Sequence, residues 1–164
     1  MKSPPTAMQI KNKVVIFTMS LLIFLLLTYL LWLCLRPVKI VDVHEDGNFS
    51  HILVKNFPIT DRGQINWWLK NKGMIKKRYN IPQPDSDGEF TVVIWDFGEG
   101  YKEQGDESKD DRFCFVDSHT PRNCIDKNKD FYVSFSKNTG INFITDSAIY
   151  RIDKSGKFVK KEAN

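Results

Sequence analysis

Residues 14–35 read VVIFTMSLLIFLLLTYLLWLCL, 22 consecutive positions without a charged side chain. As an α-helix this stretch is about 33 Å long at roughly 1.5 Å per residue, enough to cross a hydrocarbon core of about 30 Å. Tyr29 and Trp32 fall near its end, where amphipathic rings favour the headgroup layer. A cleaved signal peptide has an apolar core of only about 7–15 residues and small residues before its cut. Here the run closes Leu31-Trp32-Leu33-Cys34-Leu35-Arg36, with no such site, and Leu33 does not suit a lipidated Cys34. The stretch therefore predicts an uncleaved transmembrane helix that meets the lipid bilayer from Val14 to Leu35. It divides the chain into a tail at 1–13, the helix at 14–35 and a domain at 36–164.

Lys2, Lys11 and Lys13 precede the run, and Arg36 and Lys39 follow it closely. The positive-inside bias then keeps the amino terminus in the cytoplasm and puts the large domain beyond the membrane. As a single average, 164 residues with 24 Lys+Arg, 20 Asp+Glu, net charge +4 and mean hydropathy −0.35 describe a mildly basic soluble protein. The average conceals the division. Residues 36–164 hold 21 basic and all 20 acidic side chains, so the domain lacks the basic face that a nucleic-acid partner requires. With 41% hydrophobic and 13% aromatic residues the chain is not disordered, and it is too short for a kinase or a barrel enzyme.

Within the domain, apolar runs at 38–43 and 52–54 flank Glu45-Asp46-Gly47-Asn48, which is a hairpin signature. Pro37 separates them from the membrane helix. Thr60 or Asp61 caps a helix running to about Lys72, with Gly73 as its stop; Ile65, Trp68, Leu69 and the stem of Lys72 form its inner face. Met74, Ile75 and Tyr79 predict a further short helical piece, ended before Pro82. From Phe90 onward the pattern is β, with strands expected near 90–95, 112–116, 131–135, 142–145, 148–152 and 157–160. The expected architecture is α+β: one N-terminal transmembrane helix, then a small domain with a mainly antiparallel sheet of about five to seven strands and a helix pair on one face.

Several segments occur together as a distinctive set: Arg36-Pro37-Val38, His44-Glu45-Asp46-Gly47-Asn48, Val54-Lys55-Asn56-Phe57-Pro58, Ile65-Asn66-Trp67-Trp68-Leu69-Lys70 and Trp95-Asp96-Phe97-Gly98. With them the chain resembles, over nearly its whole length, the enterobacterial putative membrane proteins of unknown function. The resemblance implies a single span in an enterobacterial envelope, hence an inner-membrane protein with a periplasmic domain. It carries over no catalytic residue.

Cys114 and Cys124 flank Ser118, Thr120, Pro121 and Asn123, a turn composition between strands. In an oxidising periplasm the pair predicts a disulfide, and Cys34, inside the span, stays unpaired. A metal or nucleophile site using His119 is the rival reading, but the spacing offers no further ligand or base. Trp67 lies about 100° round the helix from Trp68, so it points away from the inner face. It is either a partner or bilayer anchor or a ring covered by another part of the domain. Charge is segregated: residues 55–78 hold seven basic side chains and one acid, while 85–111 hold ten acids and two lysines. The acidic run from Glu99 through Asp111 is read as a solvated hairpin tip or a patch facing the domain's own basic helix; cation binding and docking to a basic partner are the functional alternatives. The basic residues of the helix could instead meet anionic headgroups. The interaction candidates are Trp67, Lys70, Lys76, Lys77, Glu99, Glu103 and Asp110.

Other motifs dissolve on inspection. Asp126-Lys127-Asn128-Lys129-Asp130 opens like a calcium loop, but Phe131 stands where glycine is needed and Lys137 where glutamate is needed. Asp96-Phe97-Gly98 lacks every companion of the kinase triplet. His44 and His51 can approach across the first hairpin, yet a zinc site would still lack ligands. No catalytic, cofactor-binding or metal-binding residue is assigned, and no cofactor. The sequence predicts a non-catalytic periplasmic interaction module on a single-pass anchor, with an envelope protein as partner. An immunity or protective protein against an envelope-acting toxin, and an envelope enzyme, are the alternative classes.

Overall fold

The structure, a computed structural model, describes residues 7–104, 111–127, 130–153 and 156–161. It falls into two units, Met1–Pro37 and Val38–Asn164. The first unit holds one helix, α1 (Ala7–Leu35), in which Val15–Trp32 is long and apolar enough to cross a membrane and is buried against nothing. Thr18 and Thr28 donate their hydroxyl protons to the carbonyls of Val15 and Leu25, both at 2.9 Å. Bonds of this kind let a hydroxyl sit in hydrocarbon without water. At the helix end the Arg36 guanidinium lies 3.7 Å from the Trp32 ring centroid.

In the second unit β1 (Lys39–Asp46) and β2 (Phe49–Lys55) form the expected antiparallel hairpin, with His44 opposite His51. The helix α2 (Asp61–Tyr79) returns the chain so that β3 (Phe90–Asp96) pairs parallel to β2; parallel neighbours need such a crossover. After a ribbon of β4 (Arg112–Cys114) and β5 (Cys124–Asp126), the strands β6 (Asp130–Ser136), β7 (Gly140–Ile144), β8 (Ile149–Ile152) and β9 (Phe158–Lys161) run as an antiparallel meander. Among the described residues the main sheet has seven strands in the order β1-β2-β3-β6-β7-β8-β9. The α+β class with a mainly antiparallel sheet is therefore the observed one.

The helical layer differs from the expected pair of pieces. α2 runs unbroken through Gly73 to Tyr79. Glycine costs roughly 1 kcal/mol inside a helix, but Ile75, fully buried two residues later, draws the next turn onto the sheet. The inner face accordingly continues from Ile65 and Trp68 to Ile75, and Lys72 is exposed. The left-handed Asn80 at φ 57° ends the helix, its N–H donating to the Lys76 carbonyl at 3.0 Å. At the other end Thr60 Oγ1 accepts from the Gly63 N–H at 3.2 Å. A Cβ on Gly63 would stand 2.9 Å from both Pro58 Cβ and Thr60 Oγ1, so this cap requires glycine. The Asp61 carboxylate accepts from the hydroxyls of Ser147 and Tyr150, pinning the helix start to the β7–β8 turn.

Strand alternation gives the sheet two buried faces. Ile52, Val54, Val92, Ile94, Phe131 and Val133 point to α2; Leu53, Val93 and Trp95 point the other way, against Phe115 and Ile125 of the ribbon region. Because both faces are covered, β2 and β3 read as nearly continuous apolar runs.

Candidate functional site

The face away from α2 is capped by the ribbon, which is closed on itself by the disulfide between the paired residues Cys114 and Cys124. Lys102 ties the preceding segment to it by reciprocal backbone bonds with Cys124 (2.7 and 3.1 Å) and by its ammonium on Asp126 at 2.6 Å. Asp126, and after it Glu99, hold that ammonium above its ordinary pKa. Beneath this cap lies a cluster of rings. His44 stacks on Phe115 with centroids 3.9 Å apart, and His51 packs against Phe113 at 4.8 Å.

The two imidazoles do different work. His44 Nδ1 lies 2.8 Å from Asp117 Oδ1, and its Nε2 lies 2.6 Å from the Tyr101 hydroxyl, which donates to Asp42 at 2.8 Å. His51, only 6% exposed, accepts the indole N–H of Trp95 on Nδ1 at 3.1 Å. Indole only donates, so the proton of the neutral ring sits on Nε2. Burial, and then the neighbouring His44, lower the His51 pKa to about 4, which keeps that ring neutral at ordinary pH. Two cavities, of about 260 and 490 Å³, meet at this ring and share Asp46, His51 and Phe113. Together they form a cleft between the sheet and the ribbon, floored by Trp95 and rimmed by Phe49, which is 48% exposed.

The chain Asp117–His44–Tyr101 has the outline of an acid–base relay with a phenol at its end. Its chemistry is poor for attack. Burial, followed by the Asp42 carboxylate, pushes ionisation of Tyr101 far above its ordinary range, so no nucleophilic phenolate forms. Among the described residues no group of three or more His, Cys, Asp or Glu side chains converges as a metal set. What the arrangement offers is a walled apolar cleft with one inward N–H donor and a carboxylate rim.

The model of the family described as Enterobacterial putative membrane protein (DUF943) matches residues 9–162. The chain belongs to that family. It is a membrane protein, and α1 is the candidate span in an enterobacterial putative membrane protein of unknown activity. No curated protein and no solved structure matches it.

In this enterobacterial membrane protein the interaction candidates are not brought together. Lys70, Lys76 and Lys77 are exposed along α2, and Lys76 also donates to the carbonyls of Asn80 and Pro82 at 3.3 and 2.7 Å. Trp67 is half-buried, with the Phe57 ring edge-on at 5.3 Å, so it is a partly covered ring. Glu99 pairs with Lys102 at 3.1 Å, and the Glu103 carbonyl accepts from Arg112 at 2.8 Å. Phe97 and Tyr101, at the start of the acidic run, pack on the sheet face opposite α2, so this part of the run does not face the basic helix. Asp110 lies outside the described residues. The His44, His51, Tyr101 and Asp117 cluster escaped sequence reasoning. Its one legible signal was the opposition of the two histidines across the Asp46-Gly47 turn.

Proposed function

We propose that this protein is a single-pass inner-membrane protein, N-terminus cytoplasmic, whose periplasmic domain is a non-catalytic module that binds another envelope protein. The observation that carries the reading is the cleft beneath the disulfide-closed ribbon, where a preformed apolar wall meets an inward donor and carboxylates but, among the described residues, no activated nucleophile. A disulfide suits an oxidising compartment, and the Lys11 and Lys13 side of α1 suits the cytoplasm. The hairpin turn that borders the cleft lies at the opposite end of the sheet from Val38, where the chain enters the domain.

In vivo crosslinking followed by pull-down of the full chain from intact envelopes tests the reading; a reproducible protein partner is expected. A toxin as that partner would turn the assignment to an immunity role, and recovery of none would overturn the module reading. Fusion of a reporter at Asn164 tests the orientation: activity of a reporter that works only in the cytoplasm refutes the periplasmic assignment.

A further inference from the structure

We propose that the His51 cleft is a socket for one apolar anchor side chain of a protein partner, in a segment where a lysine or arginine adjoins that anchor. The inference rests on the reading of the domain as a binding module and specifies what the module recognises.

The first support is a donor without a partner in the domain itself. His51 is 94% removed from solvent by its 6% exposure, its Nδ1 is taken by Trp95, and Nε2–H has no hydrogen-bond partner among the described residues. The ring lines both cavities, so this donor faces the cleft. Water can meet this donor in the free domain, and a peptide carbonyl is the neutral acceptor that a polypeptide always carries beside its side chain and can bring in its place. The second support is shape and polarity. The larger cavity, about 490 Å³, is walled by Phe49, Val93, Trp95 and Phe113, a lining that suits an inserted aromatic or aliphatic side chain. Phe49 at the mouth is itself a large apolar group about half exposed to solvent.

Charge selects the neighbour. Among the described residues Glu45, Asp46 and Asp117 line the smaller cavity, and Asp46 and Lys127 line the larger one. An acidic mouth favours a basic residue flanking the anchor and disfavours an acidic one. Metal capture does not compete, since no convergent ligand set exists among the described residues.

The test uses the full chain, labelled with 15N in lipid nanodiscs, and reads the indole N–H signal of Trp95, assigned by its loss in Trp95→Phe. The probes are end-blocked pentapeptides of sequence Gly-Lys-Phe-Lys-Gly, Gly-Glu-Phe-Glu-Gly and Gly-Lys-Ser-Lys-Gly, and the glycan chitotriose. A saturable shift is expected with the first peptide, at least about tenfold weaker with the second and absent with the third. The exposed-rim substitutions Asp46→Lys and Phe49→Ser are expected to weaken the first peptide at least about tenfold while leaving the thermal melt in place. No saturable shift with any peptide, equal response to the first two, or insensitivity to both rim substitutions overturns the socket. A shift with chitotriose alone overturns it in favour of glycan binding. The two rim variants also separate this proposal from the broader one: if they still recover the envelope partner of the parent chain, the module stands and the socket is wrong. If the parent chain recovers none, the module reading fails first.

Discussion

His44 and Asp117 lie 73 residues apart in the chain and 2.8 Å apart in the fold. The same carboxylate reaches β1 a second time, through Oδ2, which accepts the Glu45 N–H at 3.2 Å. Two residues back along the strand, on the same side, the Val43 N–H is met by Asp42 Oδ1 at 2.9 Å. β1 is the edge of the seven-stranded sheet, and an edge strand normally presents such donors to any passing strand. Asp117 therefore acts twice, holding the ribbon loop against His44 and closing part of the sheet edge.

Asp117→Ala is expected to destabilise the domain by about 1–3 kcal/mol, since His44, a buried ring, loses an acceptor. It is also expected to promote association between copies, because the Glu45 donor is freed on an edge strand. Asp117→Asn keeps an acceptor oxygen and should recover part of the loss. Denaturant melts with size-exclusion chromatography in detergent check both effects; an alanine variant as stable and as monodisperse as the parent would refute the double role.

Stability should fall as pH drops from 6.5 toward 4. The folded state holds the His51 pKa near 4, by burial first and the His44 charge second, against an unfolded value near 6.5. Between these values the unfolded chain binds the extra proton and the folded chain does not, so acid favours unfolding. The stabilisation is complete above about 6.5, and its loss reaches a ceiling of roughly 3 kcal/mol near pH 4. Asp46 and Asp117 oppose the shift without outweighing burial and His44. Urea melts at a series of pH values check it, and His51→Gln, which does not titrate, should flatten this part of the profile.

The parts of the fold that could be read early are those fixed by neighbours in sequence. The apolar run of α1, the Asp46-Gly47 hairpin and the alternation of Phe131 and Val133 each specify their own geometry. Gly73 misled because a local stop signal is weaker than the burial of Ile75 against strands that lie elsewhere in the chain. β5 is three residues long, too short to display a period, and exists because Cys124 pairs with Cys114. The site was least legible. Tyr101 and Asp117 join His44 across separations of 57 and 73 residues, and nothing in the intervening chain announces the meeting.

The ribbon should depend on its disulfide. Cys114 and Cys124 are ten positions apart, and closing a loop of that size stabilises by up to about 2.8 kcal/mol on the chain-entropy estimate. Reduction, or the paired change of both cysteines to alanine, is expected to lower stability by up to that amount. Mass spectrometry after alkylation without reductant should find one labelled cysteine, Cys34. Labelling at 114 and 124 in protein taken from intact cells would count against both the bridge and the periplasmic placement.

Gly73→Ala should stabilise the domain. A Cβ built at Gly73 meets nothing within 4 Å, and its backbone is ordinary right-handed helix, so no clash or strain opposes the methyl group. Alanine favours a helix interior over glycine by about 0.8–1 kcal/mol, partly by restricting the unfolded chain. The gain should appear in thermal or urea melts and leave the core contacts of Trp68 and Ile75 untouched. The same substitution at Gly63 is the internal contrast: there the methyl group would collide with Pro58 and Thr60, so Gly63→Ala should destabilise. If both variants moved stability in the same direction, α2 would not be the single capped helix that spans Asp61 to Tyr79, because that helix makes one glycine a steric requirement and the other a dispensable weakness.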